Sequence, residues 1–135
     1  MEEIRSINFK TKNVNEMIEK IKDGLPAETV VTLSASLDMS IKSIAELTDI
    51  AESTLARRRR TKGKLKANES DRVIRIARLR DRAVDVFEDE NRANQWLKAP
   101  LRALDDQSPL KYAESELGAQ EVMNLLGRIE HGVFS

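Results

Sequence analysis

A chain of 135 residues, 40% hydrophobic and 34% charged, has the length of one or two small domains and the composition of a helical protein with broad solvated faces. It has no cysteine, which excludes disulfides and thiolate metal sites, and its single histidine, His131, excludes an all-imidazole metal site within one chain. Net charge is zero, yet residues 57–82 hold twelve Lys/Arg against three Asp/Glu, a net of +9, between flanks of −4 (1–56) and −5 (83–135); such segregation suits two unlike partners.

No apolar run approaches the roughly 20 residues that span a bilayer. The acidic start Met1-Glu2-Glu3-Ile4-Arg5 is unlike a signal peptide. A cytoplasmic protein without membrane contact is expected.

Taken in chain order, the first predicted helix covers residues 13–23, with Val14, Met17, Ile18 and Ile21 on one stripe and Gly24 as its stop. Pro26 is expected to open the second helix at its first position, with Val30, Leu33 and Leu37 as the apolar face. Ser40 is a good N-cap for a helix carrying Ile41, Ile44, Ala45 and Leu47. A short break at Thr48-Asp49-Ile50 leads to a further helix ending in Arg57-Arg58-Arg59-Arg60, and residues 61–67 form a basic connector. Asn68, with Asp71 three residues on, reads as the cap of the longest helix, to about Phe87. Asp89 can cap a pattern through Trp96 and Leu97 that Pro100 ends, with Trp96 expected in the core. Ser108-Pro109 opens a short helix, and residues 116–131 form the last, stopped by Gly132. Gly118 and Gly127 are expected at close helix contacts. Strand alternation never persists, so the expected fold is all-α with about eight helices.

Residues 41–60 have the size and punctuation of a helix-turn-helix. Ala45 is small where two helices must cross, and Ile50 and Leu55 can pin both to the core. The second helix would present Ser53, Thr54 and Arg57 to a major groove, with Arg58, Arg59, Arg60, Lys62 and Lys64 reaching phosphates. The turn position often held by glycine is Asp49, and Ala51 has no side chain with which to cap the second helix.

No catalytic constellation is legible. His131 lacks a serine or cysteine partner by spacing and suits a helix C-terminus. Glu88-Asp89-Glu90 reads as a capping cluster, and Asp105-Asp106 alone make a poor cation site. Neither an enzyme nor a resident cofactor or metal is expected.

The C-terminal half carries an ordered series of short motifs. These are Ala83-Val84-Asp85-Val86-Phe87-Glu88-Asp89, Ala93-Asn94-Gln95-Trp96-Leu97, Ala103-Leu104, Ser108-Pro109-Leu110 and Gly118-Ala119. They are followed by Leu126-Gly127-Arg128-Ile129-Glu130-His131-Gly132-Val133-Phe134-Ser135. With the upstream Ser53-Thr54-Leu55-Ala56-Arg57-Arg58 and Asp71-Arg72-Val73-Ile74-Arg75-Ile76-Ala77-Arg78-Leu79, the series resembles Xre-type antitoxins that pair with RES-domain toxins. The family commonly has glycine where Glu88 and Asp105-Asp106 stand here, and Pro-Asn where this chain has Pro100-Leu101. No family is recognised in residues 1–39, a candidate oligomerisation segment.

The resemblance implies residues 1–67 as an N-terminal region containing the helix-turn-helix (about 40–60) and 68–135 as a helical toxin-binding domain. It further implies neutralisation of a RES-type, NAD-consuming toxin by direct contact, and repression of the chain's own operon through operator DNA, as a homo-oligomer, a dimer. The NAD chemistry would belong to the toxin. Arg128, Glu130, His131, Val133, Phe134 and Ser135 are the expected toxin-binding residues. A stand-alone helix-turn-helix regulator is the alternative, but it leaves the C-terminal series without a purpose.

Overall fold

Eight α-helices and one 3-10 turn, with no strand, make up the residues that the computed structural model describes, 14–132. They are α1 (Val14–Asp23), α2 (Thr29–Leu37), α3 (Ile41–Thr48), α4 (Glu52–Arg60), α5 (Ala67–Phe87), α6 (Glu90–Lys98), the 3-10 turn Arg102–Leu104, α7 (Pro109–Tyr112) and α8 (Glu116–Glu130). The all-α expectation holds. The chain divides into two units between Ala77 and Arg78, inside α5; the boundary expected from sequence, 67/68, falls at the first turn of that helix.

In the first unit Leu33 and Leu37 of α2, Ile44 of α3, Leu55 of α4 and Val73 and Ile76 of α5 are all 1% exposed or less. In the second, Leu79, Leu97, Leu104, Leu110, Val122 and Leu126 play the same part. Each such side chain contributes about 1.5–3 kcal/mol through burial.

Local chemistry sets most helix ends. Ser40 Oγ accepts from the Ser43 amide at 3.0 Å, Asp89 Oδ1 from Arg92 at 2.9 Å, and Ser108 Oγ from Lys111 at 3.2 Å with Pro109 in the first turn. Ser115, not anticipated from the sequence, caps α8 by accepting from Gly118 at 3.0 Å. Gly24 ends α1 at φ 91°, and a Cβ there would stand 2.5 Å from the Leu65 carbonyl oxygen.

Several expectations need correction. Pro26 does not open α2: it lies in an isolated bridge opposite Lys64. The Leu65 amide donates to Leu25 O (2.7 Å) and the Ala27 amide to Gly63 O (3.0 Å), which commits Pro26 to extended backbone and delays the helix to Thr29. Asn68 is not the cap of α5, which starts one residue earlier. There Glu69 Oε1 accepts from the Lys66 amide at 2.8 Å, the reach-back half of a capping box. On α1 only Met17 of the expected stripe is buried, whereas Val14 is 61% and Ile18 41% exposed. Trp96 is half-buried rather than enclosed, with its ring 5.5 Å from that of Phe87. Gly118 sits at a close contact as expected, but a Cβ at Gly127 would meet nothing described within 4 Å.

Three loop departures from the resembled family acquire a geometric meaning. Glu88, Asp105 and Asp106 have φ of 56°, 59° and 62°, the left-handed region that glycine occupies without cost. The backbone at these turns takes a conformation that glycine would adopt more readily than the side chains present.

Candidate functional site

The helix-turn-helix runs from α3 through Asp49-Ile50-Ala51 into α4. Asp49 takes the left-handed conformation (φ 55°) that a glycine usually supplies, and the Ile50 amide donates back to Ala45 O at 3.0 Å. Ala45, Ile50 and Leu55 are buried, which sets α4 against α3. Ala51 provides no side-chain cap.

Two side chains of α5 brace this motif. Arg72 Nε donates to the Thr48 carbonyl at 2.6 Å and Nη2 to that of Asp49 at 3.4 Å, satisfying the C-terminal end of α3. Arg58, on α4, pairs with Glu69, whose carboxylate also holds the Lys66 amide. The side chains of this pair are only 14% and 11% exposed. Arg58 therefore faces the protein rather than a ligand, a role its place in a run of four arginines conceals. Burial opposes the charge on Glu69, but the Lys66 amide and the Arg58 guanidinium outweigh it and hold its carboxyl below the usual range.

A carboxyl with a folded pKa below its unfolded value adds stability that is complete above the unfolded pKa and is lost as pH falls through the folded one. Glu69→Gln should therefore be less stable than wild type near neutrality, with the gap closing as pH falls below about 4, in the carboxylate range. Urea unfolding at a series of pH values tests this. A gap that stays constant down the series would show that the charge on Glu69 contributes nothing.

Of the other expected DNA-binding residues, Ser53, Arg57, Arg59, Arg60, Lys62 and Lys64 are exposed and Thr54 is half-buried. Arg59 reaches Glu28 at 3.4 Å and Lys64 reaches Asp23 at 2.9 Å, both in solvent, where such pairs are worth little and a phosphate can displace the carboxylate. Among the described residues Arg57, Arg60 and Lys62 have no carboxylate partner.

In the second unit Glu130 is committed internally. Arg82 grips it with two hydrogen bonds, 2.6 and 3.1 Å, and that grip lowers the carboxyl pKa and raises that of the guanidinium. Arg128 lies 3.6 Å from Glu121, with both side chains nearly half exposed, and His131 is exposed. Val133, Phe134 and Ser135 lie outside the described residues. Among the described residues no group of three or more His, Cys, Asp or Glu could hold a metal ion, and no helix is long and apolar enough to cross a membrane.

Comparison with known proteins follows the same division. Residues 16–78 match the Antitoxin Xre-like helix-turn-helix domain, and residues 82–132 the Antitoxin Xre/MbcA/ParS C-terminal toxin-binding domain. The chain is 36% identical to Antitoxin Xre of Photorhabdus laumondii and 34% identical to that of Yersinia enterocolitica, in each case over 97% of this chain and 89% of the relative. It is 23% identical to the Prs ADP-ribosylating antitoxin of a Sphingobium species, over 89% of this chain and 81% of that one. A braced helix-turn-helix with an exposed basic end, joined to a toxin-binding domain and matched along nearly its whole length by named antitoxins, settles the family: the chain belongs to the Xre antitoxins of toxin–antitoxin systems, which are not enzymes.

Proposed function

We propose that this antitoxin neutralises a RES-type, NAD-consuming toxin by direct contact through its C-terminal domain and represses its own operon, as a dimer, through α4. The observation that carries the DNA half is the exposed set Arg57, Arg60 and Lys62 at and just beyond the end of α4, without a carboxylate partner among the described residues. Ser53, Thr54 and Arg57 face base edges, while Arg59, Arg60, Lys62 and Lys64 take phosphates and Arg58 positions the helix. The toxin half is supported by the domain match over residues 82–132. The name of the Sphingobium relative, an ADP-ribosylating antitoxin, is in keeping with NAD-linked toxin chemistry.

On the toxin, Arg128, His131 and residues 133–135 form the inhibitory end, with Phe134 as an aromatic anchor. Glu130 contributes through its pairing with Arg82. The test is NAD consumption by a RES-domain toxin co-produced with the full antitoxin and with one ending at Gly132. Full-length protein should suppress it, and the shortened chain should do so less well at an unchanged melting temperature. Equal suppression removes residues 133–135 from the contact, and no complex at all removes the RES pairing. A gel shift on the upstream operator fragment tests repression in parallel.

A further inference from the structure

α8 presents a face that its own chain does not explain. Gly118, Val122, Leu125 and Leu126 are buried and define the inner side of the helix. With 3.6 residues per turn, the opposite side carries Glu116 at its start, then Gln120, Asn124, Gly127 and His131, flanked by Leu117 and Met123.

Gly127 is the anomaly. Glycine is among the poorest residues for a helix interior, and it is kept in a packed fold where a side chain would collide. At Gly118 that reason holds, since a Cβ would lie 1.8 Å from the Tyr112 carbonyl oxygen. At Gly127 a Cβ would meet nothing among the described residues within 4 Å. The missing side chain at Gly127 thus serves no packing that the described chain makes.

A second observation lies on the same side: Leu117 is 83% exposed, the most exposed large hydrophobic residue described. The charges bordering this face are answered locally, Arg128 by Glu121 and Glu130 by Arg82, while Gln120 donates to Asn124 at 3.1 Å. What remains outward along the middle of the helix is neutral polar or apolar, with Glu116 at one end and the paired charges at the margins, a composition that suits a protein–protein contact.

We infer that the outer face of α8 is the surface on which the toxin docks, with Gly127 admitting the closest approach of the partner's backbone and Leu117 anchoring one edge. The occupant is a toxin because α8 lies wholly within the stretch matched to a toxin-binding domain, so the inference rests on the neutralisation proposed above and locates it. A bare position on a helix lets a second backbone pack against it more closely than any side chain allows.

Gly127→Ala gives this surface a test in which stability and binding move in opposite directions. The added methyl enters open space and improves helix propensity, so the free antitoxin should melt a few degrees higher. The same methyl should weaken binding to the RES-domain toxin used in the neutralisation test by about tenfold, as loss of a central contact does. Leu117→Asp should weaken binding similarly at an unchanged melting temperature. Wild-type affinity in either variant overturns the surface. A lower melting temperature for Gly127→Ala also overturns it, by showing that this chain itself fills the space. If wild-type antitoxin forms no complex, the RES pairing fails and the surface with it; a defect confined to the variants is the result expected here.

Discussion

Gly118→Ala is expected to cost the second unit about 3 kcal/mol or more, a combination of forced overpacking and a weakened cap. The new Cβ would stand 1.8 Å from the Tyr112 carbonyl oxygen and 2.9 Å from its carbon. Both are backbone atoms, so no side-chain rotation relieves the clash, and α7 and α8 must separate. Separation also stretches the 3.0 Å hydrogen bond by which Ser115 caps α8. Against a typical total of about 5–15 kcal/mol, the melting temperature should fall by about 10 °C, with loss of neutralisation as a consequence of unfolding. A variant that melts with wild type would mean that α7 and α8 do not meet as described.

The second large effect separates two adjacent arginines. Arg58→Ala leaves the Glu69 carboxylate, 11% exposed, without its counter-charge. Stranding a buried charge costs about 3–5 kcal/mol, and the retained bond from the Lys66 amide brings the expectation to the lower end of that range. Arg57→Ala removes an exposed cation and should leave stability unchanged, while weakening operator binding by about 1–3 kcal/mol and relaxing base preference at the position it reads. Thermal unfolding and operator titrations against matched and base-substituted DNA, at several salt concentrations, distinguish the roles. If Arg58→Ala keeps its stability and alone weakens operator binding, the two assignments must be exchanged.

Local signals in the sequence recovered local structure. The caps Ser40, Asp89 and Ser108, the stops at Gly24 and Gly132 and the two helices of the helix-turn-helix are where their chemistry placed them, because each depends on residues within four positions. What escaped depends on distance along the chain. Arg58 meets Glu69 eleven residues away, and Pro26 is held extended by residues near Lys64. Gly118 and Gly127 look alike in one helical pattern, yet only three-dimensional neighbours tell a crowded glycine from an open one. The stripe Val14, Met17, Ile18 and Ile21 satisfies helical periodicity, but periodicity cannot say how much of a stripe finds a partner. The family likeness, carried by short motifs in order, was legible where the geometry of individual contacts was not.

The brace from Arg72 to the carbonyls of Thr48 and Asp49 has a thermodynamic consequence. A segment that folds as it binds gives up part of its interaction energy to ordering and shows a large negative heat-capacity change, from the surface buried in folding as well as in contact. Here the α3–α4 turn is already fixed by α5 in the free chain. For the proposed docking of α4, little conformational entropy would be left to lose in this turn, so the motif itself should add little to the heat-capacity change, and orientation and charge rather than its rearrangement should set the speed of encounter.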